Sequence, residues 1–153
     1  MASGWPRDAG CNCGRVRFRL SAAPLTAYLC HCHLCQKRTG SPFAMNVVFP
    51  ANALELAEGE PLELPRDLGG GLQSVSWLCG VCYSRLWTRR TGAAVVNVRG
   101  GALDDAGDLR PVAQLWVSSA QPWAVQTDML TYDEQPSDFG PLVAAWATRS
   151  VSG

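Results

Sequence analysis

The sequence predicts a mostly β protein in which several small antiparallel sheets surround one core, followed by a short C-terminal helix. Two observations support this prediction. Short segments of alternating or continuously apolar residues recur along the chain, and clusters of glycine, proline and aspartate separate them. The chain has 153 residues, of which 47% are hydrophobic, so it is long enough to form one domain around a hydrophobic core.

The clearest strand pattern lies in residues 14–21. Val16, Phe18 and Leu20 share one face of an extended chain there, and arginines occupy the other face. Further segments of β-prone residues predict five more short strands, at 43–49, 54–58, 74–78, 94–99 and 115–117. Turn-forming residues lie between these segments, at 58–61, 69–71 and 104–108.

We expect a disordered tail at residues 1–8, one domain at residues 9–136 and a C-terminal extension at residues 137–153. Only one segment, residues 141–149 of the extension, has a helical pattern. Its apolar residues fall on one side of a helix, and these are Leu142, Val143 and Trp146. The predicted helix therefore follows the domain and is short.

Charge and hydropathy exclude several classes of partner. The formal net charge is zero and the sequence pI is about 6.7, so no overall field attracts nucleic acid or an anionic membrane. No apolar run reaches the roughly 18 residues of a membrane span. Residues 1–10 lack the basic start and apolar stretch of a signal peptide. We therefore expect a cytoplasmic protein with neither a membrane nor a nucleic acid as its partner.

Seven cysteines lie in three groups with the spacings C-x-C, C-x-C-x-x-C and C-x-x-C, and these are Cys11 and Cys13, Cys30, Cys32 and Cys35, and Cys79 and Cys82. Their odd number and the lack of an export signal argue against a disulfide framework. Such spacings let one tight turn direct several sulfurs at one point, as a tetrahedral metal requires. Thiolates favour zinc or an iron–sulfur cluster, and we expect zinc to stabilise the fold.

Two alternatives for these cysteines stay open at the level of sequence. Cys79 and Cys82 match a redox-active C-x-x-C, although no thioredoxin-like βαβ pattern surrounds them. The grouping of the ligands is also open, because Cys32, Cys35, Cys79 and Cys82 could form a ribbon-like site across 43 intervening residues. Seven ligands make one four-ligand site and one three-ligand site. A three-ligand zinc keeps an open position for water or substrate, as catalytic zinc sites do.

The residues around the cysteines resemble those of a known family. Residues 10–18 are similar to its opening C-x-C-G-x-V-R-F signature. Residues 30–40 are similar to its central C-H-C-x-x-C element and basic turn, and residues 78–82 resemble its late C-x-x-C. This is the family of the glutathione-dependent formaldehyde-activating enzyme, which shares its domain with centromere protein V. The resemblance extends from Ala9 to Pro136.

The resemblance implies a division of labour between two zinc ions per chain. A structural zinc would be held by four residues, Cys11, Cys13, Cys79 and Cys82. A second zinc with an open position would be held by Cys30, Cys32 and Cys35, which would carry catalysis. The implied activity is that of a carbon–sulfur lyase that joins glutathione and formaldehyde into S-(hydroxymethyl)glutathione. A small thiol such as glutathione, and formaldehyde, would then be the partners.

Two of the positions at which the chain departs from the family pattern are Tyr83 and Gln114. Tyr83 stands where members usually carry glycine, at a point of the turn that often needs a positive φ. Gln114 stands where a histidine is frequent.

Four polar residues near the central cysteines have alternative interpretations. His31 alternates with Cys30 and Cys32, so we expect its ring to point away from a metal. His33 is expected on an exposed loop, with a general base beside the open position as the alternative. For Lys37 and Arg38, solvated charges and pairing with thiolates or a substrate carboxylate remain equally open.

For the whole chain, the alternative to an enzyme is a non-catalytic, zinc-stabilised binding module.

Overall fold

Eleven β-strands and two α-helices form the computed structural model, which describes residues 4–151 and the side chains of residues 4–149. The elements are β1 (Arg7–Gly10), β2 (Arg17–Leu20), β3 (Thr26–Cys30), α1 (His33–Thr39), β4 (Ala44–Pro50), β5 (Leu54–Glu58), β6 (Leu62–Gly69), β7 (Leu72–Leu78), β8 (Arg85–Arg90), β9 (Val95–Arg99), β10 (Ala113–Leu115), β11 (Leu130–Thr131) and α2 (Gly140–Val151). Short 3₁₀ turns lie at 51–53, 100–102, 117–119 and 122–124.

The strands of the described residues form two sheets. One has three antiparallel strands in the order β1-β2-β5, and the other has eight in the order β11-β10-β3-β4-β9-β8-β7-β6. The mostly β class and the C-terminal helix are confirmed. The second sheet is larger than the sequence predicts, and its β10 pairs in parallel with both β3 and β11.

Four of the six predicted strand segments, 43–49, 54–58, 74–78 and 94–99, overlap observed strands along most of their length, and the segment 14–21 contains all of β2. The sixth, 115–117, meets β10 only at Leu115, because Trp116 has a left-handed backbone with φ 60° and a 3₁₀ turn begins at Val117. The sequence patterns do not predict strands β1, β3, β6, β8 and β11 or helix α1. Every residue of β3 is buried and nearly every residue of β6 is exposed, so neither strand alternates.

The N-terminal segment differs from the expectation of a disordered tail over residues 1–8. Arg7 and Asp8 belong to β1, which pairs with β2. Trp5 packs edge-on against Phe49 with 5.2 Å between ring centroids, and Arg7 forms an ion pair with Asp108 at 2.6 Å. These contacts reach far along the chain, so the local sequence does not reveal them. Residues 1–3 of the expected tail lie outside the described residues.

The described part of the C-terminal extension packs against the strand that leads to the central cysteines. Leu142 of α2 is fully buried, and its carbonyl oxygen accepts a hydrogen bond from Thr26 Oγ1 of β3 at 3.0 Å. Phe139 packs edge-on against Tyr28 of the same strand. Helix α2 therefore supports β3, which ends at Cys30. No helix of the described residues has both the length and the apolar character that crossing a membrane requires.

Candidate metal centres

Four of the seven cysteines meet where the two sheets approach each other. Cys11 and Cys13 lie in the turn after β1, and Cys79 and Cys82 lie in the turn after β7. Their sulfurs all lie within 4.8 Å of one another, with 3.6 Å from Cys11 to Cys13 and 3.7 Å from Cys13 to Cys79. A tetrahedral zinc with bonds of about 2.3 Å separates its sulfurs by about 3.8 Å. The spacing of this four-sulfur cluster therefore fits a zinc ion.

Hydrogen bonds to sulfur prepare this cluster for a cation. The backbone N–H of Val16 donates to Cys11 Sγ at 3.3 Å, and that of Val81 donates to Cys79 Sγ at 3.4 Å. The Ser84 hydroxyl lies 3.2 Å from Cys82 Sγ, and its hydrogen bond lowers the pKa of Cys82 to about 5. Donors of this kind stabilise thiolates, the form in which cysteine binds metals.

The turn between Cys79 and Ser84 has the left-handed residue that the family pattern suggests. The N–H of Tyr83 donates to the Cys79 carbonyl oxygen at 3.0 Å, and that of Cys79 donates to the Ser84 carbonyl oxygen at 3.0 Å. Tyr83 has φ 59°, a conformation that glycine adopts at no steric cost. Its side chain is 68% exposed. The turn is therefore formed with Tyr83 in a strained backbone conformation.

The other three cysteines form a second cluster around the start of α1. Cys30 ends β3, Cys32 is the N-cap residue of α1, and Cys35 lies in its first turn. The three sulfurs lie within 4.8 Å of one another. Cys30 and Cys35 are buried and Cys32 is half-buried, so the cluster reaches the surface at Cys32. The structure brings neither Cys32 nor Cys35 into the cluster of Cys79, so the ribbon-like grouping is not formed.

The local structure of α1 positions these sulfurs. The N–H of Cys35 donates to Cys32 Sγ at 3.4 Å. The side chain of Cys32 is therefore both the N-terminal cap of α1 and a candidate metal ligand. The helix ends at Gly40, whose φ of 67° lets its N–H reach the carbonyl oxygen of Gln36. Residues 36–40, which the sequence suggested as a basic turn, therefore belong largely to this short helix.

The three thiols of this cluster differ in pKa. Hydrogen bonds from the Cys30 and Cys35 thiols lower the pKa of Cys32, and the same contact with Cys32 raises the pKa of Cys30. Cys32 is therefore the first of the three to become a thiolate. A cation is required before all three sulfurs can carry charge together, because they are close and partly buried.

His31 lies behind the three-sulfur cluster, as the alternation of residues predicts. It is fully buried, its Nε2 lies 3.2 Å from Gln114 Oε1, and its ring packs edge-on against Phe43. Burial lowers the pKa of His31, so its ring is neutral near pH 7. Its contacts with Gln114 and Phe43 therefore anchor the chain between Cys30 and Cys32.

Gln114 and Gln36 form hydrogen bonds to the surrounding loops, and the sequence motifs predict neither role. Gln114 is fully buried, and its side chain bonds the backbone N–H and carbonyl of Gln126 at 3.0 and 2.7 Å and Thr131 Oγ1 at 3.0 Å. The Gln36 amide donates to the carbonyl oxygens of His31 and Ser119 at 2.6 and 2.9 Å. Apart from His31, these partners lie 12 or more residues away along the chain, so the only signal in the sequence was Gln114 at a position where the family often has histidine.

The remaining polar residues of the central motif differ in their surroundings. His33 is the first residue of α1 and is exposed, and it does not join the cysteine cluster. Lys37 is exposed as well. Arg38 is half-buried and donates to Ser76 Oγ at 3.3 Å, so it is not simply a solvated charge.

Comparisons with known proteins agree with this arrangement. The family model described as "Glutathione-dependent formaldehyde-activating enzyme" matches residues 6–119. No curated protein matches the chain. The crystal structure of a Rhodobacter sphaeroides protein is similar over 82% of this chain and 98% of that one, with a TM-score of 0.53 and 16% sequence identity. At that identity the likeness shows a shared fold.

Proposed function

The chain belongs to the glutathione-dependent formaldehyde-activating enzyme family, and we propose that it is a zinc-dependent carbon–sulfur lyase. Its substrates would be S-(hydroxymethyl)glutathione or a related adduct of a thiol with formaldehyde. One observation supports this proposal above others. The chain has one cluster of four sulfurs and one cluster of three sulfurs that reaches the surface at Cys32. Four ligands complete a structural zinc site, whereas three leave one position for a substrate.

The four-sulfur cluster has a structural role in this proposal. It joins the turn after β1 in the small sheet to the turn after β7 in the large sheet, across 66 residues from Cys13 to Cys79. Zinc held there would cross-link the two sheets. In small zinc-binding peptides such a site contributes an apparent binding free energy of about 10–16 kcal/mol, which is comparable to the stability of a whole domain.

The three-sulfur cluster has the catalytic role. Cys30, Cys32 and Cys35 would hold zinc, which when bound acts as a Lewis acid and lowers the pKa of a thiol in its open position. The half-buried Cys32 leaves access from solvent, and the burial of Cys30 and Cys35 limits it on the other side. Cys32 caps α1, so the helix holds the sulfurs on a rigid element beside the position where the substrate thiol would lie.

The proposed reaction balances without a further reactant. In the forward direction the substrate sulfur bonds to the aldehyde carbon, and the thiol proton ends on the aldehyde oxygen, which becomes a hydroxyl. The reverse reaction breaks the same carbon–sulfur bond. His31 is buried and neutral, so in this proposal the proton would pass through water at Cys32, where the cluster reaches the surface.

Cobalt substitution tests the proposal, because absorption bands from thiolate to cobalt report the ligands of each site. Adding a simple thiol such as 2-mercaptoethanol to the Co²⁺-loaded protein should shift the bands of the three-sulfur site and leave those of the four-sulfur site unchanged. Cys32→Ser should remove the response, and the control change Ser137→Ala, at an exposed position before α2, should preserve it. Glutathione with formaldehyde should then exchange with its adduct in NMR spectra of the zinc protein. A spectrum that ignores every thiol would identify the chain as a zinc-stabilised binding module.

A further inference from the structure

A cavity of about 740 Å³ reaches the four-sulfur cluster, whose Cys11 forms part of its wall. Its walls come from the turns after β1 and β7, the end of α1 with the loop that follows, and the turn after β9. The volume lies within the roughly 300–1,000 Å³ of small-molecule binding sites. The cavity is therefore large enough for an organic ligand.

Three arginines from three different elements line this cavity. Arg38 comes from α1, Arg85 begins β8 and Arg99 ends β9, and all three are half-buried. None of them forms an ion pair within the described residues. Among the described residues that line the cavity only Asp104 is acidic, and its carboxylate is paired with Arg17. No carboxylate from the described part of the cavity wall therefore pairs with the three guanidinium groups, and the candidate metal ligand on that wall, Cys11, belongs to the four-sulfur cluster.

The guanidinium groups also have unused hydrogen-bond donors. Arg38 donates to Ser76 Oγ at 3.3 Å and Arg99 donates to Asn46 Oδ1 at 2.6 Å, both through a single Nη1 atom. Arg85 Nη1 is buried and has no hydrogen-bond partner among the described residues. Each guanidinium carries five N–H donors, and buried donors are almost always paired in folded proteins. Burial and the nearby positive charge of Arg85 lower the pKa of Arg38, as expected for cations grouped without an anion.

The cavity lies next to the three-sulfur cluster. Ala44 lines the cavity and pairs with Cys30 across strands β3 and β4. Thr39, which also lines it, donates its hydroxyl to the carbonyl oxygen of Cys35 at 2.7 Å. The charges of Arg38 and Arg99 both act on Cys35. The cavity wall therefore contacts the strand that ends at Cys30 and the helix that carries Cys35.

We infer that Arg38, Arg85 and Arg99 form a binding site for the carboxylates of an organic anion with at least two acidic groups, so that the enzyme selects anionic thiols over neutral or cationic ones. The second half of this statement rests on the proposed function. One guanidinium group binds one carboxylate through two parallel hydrogen bonds. Three guanidinium groups therefore provide more donors than a ligand with a single carboxylate would use. The apolar walls at Phe43 and Met45 suit a ligand with a carbon skeleton better than a small inorganic ion.

Calorimetric titration of the zinc-loaded full chain with S-methylglutathione tests this site, because that ligand has both carboxylates and no free thiol. We expect binding by the wild type and a loss of about tenfold or more in affinity in Arg85→Gln and in Arg99→Gln, since each change removes charged hydrogen bonds to a carboxylate. Arg90→Gln is the matched control, because Arg90 is exposed on β8 and does not line the cavity. Arg38→Gln provides a third variant if one of the others fails to fold.

Three results would overturn the inference. These are no binding of S-methylglutathione by the wild type, a loss of affinity in Arg90→Gln as large as in the cavity variants, and binding of inorganic phosphate as tight as that of the dicarboxylate. The cobalt spectrum separates this outcome from failure of the proposed function. If cysteamine, a thiol without carboxylates, perturbs the three-sulfur site while no dicarboxylate binds, only the arginine site is wrong. If S-methylglutathione binds through the arginines and no thiol perturbs the cobalt, only the proposed reaction is wrong.

Discussion

At the scale of single residues, Tyr83 has a left-handed backbone in the turn between Cys79 and Ser84, and this conformation destabilises the fold. A left-handed conformation costs a residue with a Cβ about 1–2 kcal/mol, of which glycine recovers part. Tyr83→Gly should therefore raise the free energy of unfolding by about 1 kcal/mol, measured by denaturant titration of the zinc-loaded protein. Val81→Gly, at an exposed residue of the same turn without a positive φ, should lower it. Destabilisation by both changes would show that the Tyr83 side chain contributes more than its backbone costs.

Gln114 provides a second prediction for a single residue. Gln114→Leu would leave His31, Gln126 and Thr131 without their buried partner. His31 is buried and its nitrogen would be left unpaired at a cost of about 1–3 kcal/mol, whereas the exposed Gln126 and Thr131 can bond to water, so the free energy of unfolding should fall by about 2 kcal/mol. Gln73→Leu, at an exposed position on β7, should change it by less than about 0.5 kcal/mol. Equal effects of the two changes would contradict the structural role of Gln114.

Predictability from sequence differs sharply between residues of the site. The cysteines are close in sequence, and their spacings of two and three residues are themselves the geometric requirement of a metal site. The three cavity arginines are separated by tens of residues and belong to no common motif. Only the pairing of β8 with β9 and the position of α1 bring Arg85 and Arg99 near Arg38. Sequence reasoning therefore left the role of Arg38 open and did not select the other two.

At the scale of elements, α2 is an integral part of the core. Leu142→Ala should lower the free energy of unfolding by about 3 kcal/mol, because a fully buried leucine leaves a cavity when it is truncated. Val143→Ala on the same helix should cost less than about 1 kcal/mol, since Val143 is 39% exposed. Thermal unfolding followed by circular dichroism measures both. A negligible effect of Leu142→Ala would show that the extension contributes little to the domain.

Strand β1 is tied down by an ion pair whose effect depends on pH. The Arg7 guanidinium lowers the pKa of Asp108 below its ordinary value, so the pair stabilises the fold at pH values above the unfolded pKa of about 3.9 and loses this effect as pH falls through the folded pKa. Asp108→Asn should therefore cost about 0.5 kcal/mol at pH 7, a small value because Asp108 is half-exposed, and nothing near pH 2.

Denaturant titrations at the two pH values check this dependence. Asp128→Asn, at an exposed position, is the control and should have no effect at either pH. A deficit in Asp108→Asn that persists unchanged at pH 2 would show that the ion pair is not its cause.

The elements that sequence predicted are those whose two faces meet different environments. Residues Arg17 to Leu20 alternate between buried and less buried positions, and this alternation is visible in the sequence. In β3 both faces are buried, and the edge strand β6 carries Pro65 and is exposed on both faces, so the local pattern is lost. Helix α1 has only seven residues, too few for a periodic pattern to emerge.

At the scale of the whole molecule, the two cysteine clusters divide stability from chemistry. The four-sulfur cluster connects the small sheet to the large one, whereas the three-sulfur cluster lies within the connection from β3 to α1 and joins no distant segment. Loss of a metal from the first should therefore disturb the whole fold, and loss from the second should remain local.

Native mass spectrometry of the intact protein and two variants tests this division most directly. We predict two zinc ions per wild-type chain, one zinc ion in a folded Cys32→Ser variant, and an unfolded or aggregating Cys79→Ser variant, because the structural site contributes free energy comparable to the stability of the domain. The account is contradicted if the wild type holds a single metal ion or a disulfide replaces either cluster. It is contradicted equally if Cys32→Ser unfolds the chain while Cys79→Ser is tolerated.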